Sequence, residues 1–268
     1  MTAKSVKDEQ IFHDAWADSE DAKKIDVKLV NTAVTSPELR WIHSRLGDLK
    51  GKSVLDVGCG FGEFAIYAAV KGANSVALDL SANMLLKVQE IAKDNGVSVE
   101  TCHADSDYLE LGDRQFDVIY CGNLLHHVDV NATMKLLSRH LKPGGKFVSW
   151  DPLKYNPVIN IYRVIAAAVR TDDEHPLGVD DVDKIRGYFS EFETRFFWLS
   201  TLIIFIAMVV VRRKNPAKTR FWKDVVYDHK EWSLIYRALK PLDAILCRIP
   251  GIKWLSWNIA IIGTKGGS

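Results

Sequence analysis

Val54-Leu55-Asp56-Val57-Gly58-Cys59-Gly60-Phe61-Gly62 is the stretch that decides the fold. A short apolar run, residues 53–57, ends in three alternate glycines, and residues 64–70 continue with helical spacing. Glycines in such a strand-to-helix turn allow positive φ and let backbone amides approach a ligand closely. A second predicted strand, residues 75–80, carries Asp79, twenty-one residues after Gly58. A carboxylate at that distance can accept both ribose hydroxyls of a nucleoside. G-x-G alone is a weak signal, and the third glycine, Gly62, falls one residue early for a dinucleotide turn.

Outward from this turn, helical and strand patterns alternate. Residues 82–93 read as a helix, 97–102 and 116–121 as strands, 132–141 as a helix and 146–150 as a fifth strand. Each parallel crossover needs a helix to return the chain, so the alternation predicts βαβ units. Beyond residue 151 helices are expected over 158–169 and 182–189, and strands over 193–199 and 256–264. Roughly fifty-five residues separate these last two strands, far more than a usual loop. The expected architecture is a Rossmann-like, doubly wound, mostly parallel seven-stranded α/β sheet. Residues 1–50 would form an amino-terminal helical cap, 51–199 with 256–268 the core, and 200–255 an apolar and basic helical insertion.

Composition narrows the partners. The 268 residues hold 35 Lys and Arg against 34 Asp and Glu, so no chain-wide basic field invites nucleic acid. Cys59, Cys102, Cys121 and Cys247 show neither C-x-x-C nor zinc-finger spacing, so no structural metal is expected and a reducing cytoplasm fits. Residues 1–10 are polar, without a signal-peptide core.

The chain resembles the class I S-adenosylmethionine-dependent methyltransferases. Asp56 through Gly62 is similar to their D-x-G-x-G-x-G motif, and Asp79 to their ribose-binding acid. Ala104-Asp105-Ser106 is similar to the pair that holds the adenine, and Cys121-Gly122-Asn123-Leu124-Leu125-His126-His127 to their fourth-strand motif. Leu141-Lys142-Pro143-Gly144-Gly145 is similar to the turn before their fifth strand. The resemblance implies S-adenosyl-L-methionine as cofactor, with Asp56, Gly58, Cys59, Gly60, Gly62, Asp79, Leu80, Asp105, Ser106, Cys121 and Asn123 around it. The cofactor has no phosphate, which suits a turn lacking the Lys of G-K-[ST].

Acceptor residues are expected after the fourth and fifth strands. His126 and His127 are candidates for a base, since an imidazole ordinarily titrates near about 6.5; packing beside the cofactor is the other role open to them. Asp151 is a candidate polar wall, and His175 a candidate acid/base group beside Glu174. Phe12-His13-Asp14-Ala15-Trp16 resembles a helix that closes over the cofactor in many relatives, with Trp16 as a core anchor. Cys59 and Cys121 fit as packing residues rather than nucleophiles.

Residues 196–211 form a run of sixteen without a charge, followed by six basic residues and no acid over 212–223. As a helix the run would reach about 24 Å, short of a bilayer's hydrocarbon core of about 30 Å. A lid over an apolar acceptor, a peripheral membrane dock and a homodimer interface all stay open for this insertion. Leu239 and its neighbours recur at helical spacing, with Pro241 expected to kink or restart that helix. The expected reaction is methylation of a small or lipid-like acceptor at oxygen or carbon, with methylation at sulfur or nitrogen and a non-catalytic, cofactor-binding, membrane-associated role as the alternatives. A nucleic-acid methyltransferase is disfavoured because Cys121-Gly122-Asn123-Leu124 replaces an Asn/Asp-Pro-Pro-Tyr type motif.

Overall fold

The computed structural model describes residues 3–104, 111–166, 174–217 and 219–267. Its centre is one seven-stranded sheet: β1 (Ser53–Val57), β2 (Asn74–Asp79), β3 (Glu100–His103), β4 (Phe116–Gly122), β5 (Leu141–Pro152), β6 (Glu191–Phe197) and β7 (Asn258–Thr264). They lie in the order β3-β2-β1-β4-β5-β7-β6, and only β7 runs antiparallel to its neighbours. The class I methyltransferase fold expected from the sequence is therefore present. The strand order reverses between β1 and β4, so a crevice opens at the carboxyl ends of the central strands.

Local chemistry explains the elements. The central strands are buried almost throughout, as in a sheet covered on both faces. Helix α4 (Glu63–Val70) starts at Gly62, which holds a left-handed φ of 69°. Helix α5 (Ala82–Asp94) is capped by Ser81, whose hydroxyl accepts from Met84 N at 3.1 Å. The third strand starts at Glu100 rather than 97, because Val97 N donates to Ala92 O and closes the end of α5. The fifth begins at Leu141: Leu141 pairs with Phe116, and Lys142-Pro143-Gly144-Gly145 forms an irregularity inside the strand.

Both ends of the chain cover one face of the sheet. The amino-terminal part contributes α1 (Ala3–Ser19), α2 (Val27–Thr32) and α3 (Pro37–Leu46). Downstream, α7 (Pro157–Ile165), α9 (Ile203–Val210), α10 (Phe221–Tyr227) and α11 (His229–Leu246) join this face, while α6 (Val130–His140) and α8 (Val179–Arg186) pack on the other with Leu55 and Ile119. Trp41 and Ile42 of α3 share a buried cluster with Phe205 of α9, Phe221 of α10 and Tyr236 of α11. The uncharged run is divided between β6, a turn and α9. Helix α9 spans only about 12 Å, and no described helix is long and apolar enough to cross a membrane.

Helix α11 continues through Pro241 rather than restarting there. Proline removes one i→i−4 hydrogen bond, but tertiary anchors hold the turns on either side. Trp232 and Tyr236 pack in the core ahead of it. Beyond it Asp243 accepts from the hydroxyls of Ser200 and Thr201 and from Ser200 N.

Candidate active site

The glycine turn is built for close approach. Gly58, Gly60 and Gly62 all have positive φ. A Cβ at Gly58 would lie 2.8 Å from Leu124 Cδ1, and one at Gly62 2.9 Å from Val88 Cγ2. At Gly60 it would meet nothing within 4 Å, so this residue leaves room facing the crevice. Cys59 N donates to Leu78 O at 2.9 Å, tying the turn to β2. At the end of β2, Asp79 Oδ2 accepts from Gly60 N at 2.8 Å and Oδ1 from Ser81 N at 2.9 Å. Burial pushes the Asp79 and Asp56 carboxyls above their ordinary range.

A cavity of about 270 Å³ lies against this turn. Of the residues expected from the sequence, Asp56, Gly58, Cys59, Gly60, Asp79, Leu80, Asn123, His126 and His127 line it. Gly62 packs against Val88 instead, and Cys121 points into the core beneath β4. Asp151 is wholly buried behind His126, and His175 is exposed, touching the site only where its N–H donates to His126 O at 2.6 Å. Asp105 and Ser106 lie outside the described residues. Burial pushes the Cys59 and Cys121 thiols well up, so neither is a thiolate.

The two imidazoles sit side by side, 4.1 Å between ring centres, each held by a different carboxylate. His126 Nδ1 lies 3.0 Å from Asp151 Oδ1. His127 Nδ1 lies 2.9 Å from Glu9 Oε1, and His13 Nε2 is 3.7 Å from the same oxygen. Burial pushes the Glu9 carboxyl up, but the hydrogen bonds from His127 and His13 outweigh it and hold the group at about 2. Glu9 was missed in the sequence. Its signal was the spacing of Glu9, His13 and Trp16, which places all three on one face of α1. His126, His127 and Glu174 bring ligand-type atoms within 4.8 Å of one another, a set able to hold a metal ion.

Insertion residues complete the cavity wall. The Arg220 guanidinium lies 3.9 Å from the centre of the Trp16 ring, and Trp222 meets Trp16 edge-on. Lys223 Nζ, over the same ring, pairs with Glu20 at 3.1 Å. The amino-terminal helix and the insertion thus meet across the mouth of the site.

Comparison with known proteins agrees with this geometry. Residues 54–145 match the family described as a methyltransferase domain. A ubiquinone biosynthesis O-methyltransferase of Pseudomonas savastanoi is 35% identical over 131 residues, 48% of this chain and 56% of that protein. One from Bordetella avium is 32% identical over 137 residues, 50% of this chain and 56% of its own length. The chain thus spans a little over half the length of the curated relatives it matches. Phosphoethanolamine N-methyltransferase 2 of Haemonchus contortus, solved with S-adenosyl-L-methionine, superposes with a TM-score of 0.55 at 19% identity, covering 84% of this chain and 51% of that one. An S-adenosylmethionine-dependent methyltransferase of Mesorhizobium loti gives 0.54 at 21% identity, covering 88% of this chain and 100% of its own. Those likenesses show the fold. Residues 54–145 are a class I S-adenosylmethionine-dependent methyltransferase domain.

Proposed function

We propose that the chain transfers a methyl group from S-adenosyl-L-methionine to an oxygen of a small, lipid-like, largely apolar acceptor. The observation that carries this reading is the cavity itself, with the glycine turn and Asp79 on one wall and the carboxylate-held imidazoles on another. The residues fit the cofactor: Gly60 leaves open space, Asp79 presents acceptors to a diol, and carboxylates with aromatic walls suit a cation. When bound, the cofactor supplies an electrophilic methyl group on a sulfonium. Carbon methylation is the second reading, and the relatives' names favour oxygen.

The chain's part in the chemistry is positioning, exclusion of water and handling of one proton. Ionised Glu9 fixes the His127 ring through Nδ1, and His127 accepts the acceptor's hydroxyl proton. One ring behind, Asp151 Oδ1 holds His126 through Nδ1, its carboxyl pushed well up by burial. Trp16, Trp222 and Trp257 restrict water at the mouth and along the wall.

The acceptor's lipid-like character is supported by the insertion. Residues 200–255 carry eleven Lys and Arg against four Asp and Glu in a chain of net charge +1. On α11, Leu234, Leu242 and Ile245 are exposed, with exposed Lys230 and Arg237 beside them on the helical wheel and Glu231 paired with Arg212. Trp232, Tyr236 and Asp243 form the opposite, buried face. An apolar stripe edged by cations suits the headgroup boundary of an anionic bilayer. We place the protein in the cytoplasm, docked at the membrane surface through this face. Incubation with methyl-labelled cofactor and a cell extract tests the whole reading. Label should enter the organic phase, and label confined to the aqueous phase would overturn the acceptor class.

A further inference from the structure

Beside the main cavity lies a smaller chamber of about 60 Å³, walled by Trp150, Trp198, Trp222 and Trp257. The two share Trp150, Trp222, Trp257 and Asn258, so the chamber is a side arm of the site. Asn258 opens β7 and pairs with Pro152 at the end of β5. The arm therefore stands on the β5 side of the crevice, away from the glycine turn that follows β1.

Its polar residues are arranged unusually. Thr35, Ser36, Glu38 and Asn258 line it, each more than nine-tenths buried, together with Glu63 and Lys223. Asn258 Nδ2 donates to Glu38 Oε1 at 2.7 Å, and the Trp198 indole bonds the same carboxyl. Thr35 Oγ1, Ser36 Oγ and Asn258 Oδ1 have no hydrogen-bond partner among the described residues. Ser36 even occupies the amino-capping position of α3, yet its side chain makes no cap. A buried polar group left unpaired costs about 1–3 kcal/mol, and three on residues that line one chamber call for a ligand. Trp198 holds a φ of 63°, a left-handed conformation unusual for a bulky residue and one that occurs preferentially at functional sites.

The geometry points to this chamber as the subsite for a neutral, hydroxyl-bearing edge of a planar acceptor ring, with Thr35, Ser36 and Asn258 as its hydrogen-bonding partners. A hydroxyl donates to Asn258 Oδ1 and accepts from a serine or threonine hydroxyl, so one group satisfies both needs. A quaternary ammonium offers the indoles a cation but has no N–H for Asn258. A carboxylate has no proton to donate to Asn258 Oδ1 and would face Glu38 and Glu63, while the chamber's one cation among the described residues, Lys223, is already paired with Glu20. The volume admits a hydroxyl and the edge of a ring, leaving the rest of the molecule in the main cavity. Only the identification of this molecule as the methyl acceptor rests on the function proposed above.

The test compares phenol with toluene, rings of nearly equal size, by ligand-observed NMR titration of the full chain. Phenol should bind the unaltered protein about tenfold more tightly than toluene. In the Thr35→Val, Ser36→Ala double variant that preference should fall to about threefold or less, with toluene affinity unchanged. Because the removed hydroxyls have no partners, the variant should melt no lower than the parent; if it fails to fold, Thr35→Val alone carries the comparison. Equal binding of phenol and toluene, a preference that survives the substitutions, or tetramethylammonium binding more tightly than phenol would each overturn the subsite. Calorimetry with S-adenosylmethionine on the same samples separates the two readings. Cofactor heat without a phenol preference removes the subsite alone, and a phenol preference without cofactor heat removes the methyltransferase reading alone.

Discussion

The half of the sheet made by β3, β2, β1 and β4 differs sharply from the half made by β5, β7 and β6. In the first, function is concentrated at strand ends within a short stretch of chain. Gly60 N donates to the Asp79 carboxylate and Cys59 N to Leu78 O, joining the ends of adjacent strands. In the second, the site is assembled from distant segments. Asn258, at the start of β7, bonds Glu38 of α3, 220 residues away in sequence. The cofactor end thus rests on local backbone geometry, and the acceptor end on tertiary contacts that other sequences can build differently.

That contrast is most severely tested in the second half. Asp243 ties α11 to residues 199–201 through five hydrogen-bonding donors on those residues. Asp243→Ala strands those buried donors and should cost about 3 kcal/mol of stability, read by denaturant unfolding. Cofactor affinity should hold if the two ends are independent.

His127→Asn should lower turnover about 100-fold, equivalent to about 2.7 kcal/mol, and leave cofactor affinity unchanged. Steady-state kinetics beside calorimetry reads both, and full turnover would remove His127 as the base. Glu38→Gln sharpens the comparison through pH. Burial outweighs the hydrogen bonds from Asn258 and Trp198 and raises the Glu38 carboxyl to about 7 in the folded chain, against about 4.5 when unfolded. As pH rises between those values the unfolded state loses its proton first, so stability falls and stays lower above about 7. The Gln variant should escape that loss, about 3 kcal/mol, visible as a melting-temperature gain near pH 8 that is absent near pH 4. Smallest, Leu234→Ser with Ile245→Ser should weaken sedimentation with anionic vesicles about tenfold without altering the fold.

The same contrast governs what the sequence disclosed. Alternate glycines, Asp79 and the His126-His127 pair were legible because strand-end geometry demands particular residue types at fixed spacings. The seven strands and their mostly parallel sheet followed from strand–helix alternation, with errors at boundaries such as Leu141, where Phe116 recruits residues ahead of an internal irregularity. Glu9, Glu38 and Asn258 were not singled out. A lone Glu or Asn carries no spacing signal, and their roles arise only when α1, α3 and β7 converge on one cavity. The apolar run at residues 196–211 was conspicuous, but its division among β6, a turn and α9 depends on the pairing of β6 with β7.

The central claim is that the turn after β1 and the carboxylate ending β2 hold the cofactor. Isothermal titration of the full chain with S-adenosylmethionine, beside Asp79→Ala and the more conservative Asp79→Asn, tests it most directly. Saturable heat for the parent and an affinity weakened by roughly tenfold or more in both variants is the expected result. No heat for the parent, or equal affinity in all three proteins, would contradict it.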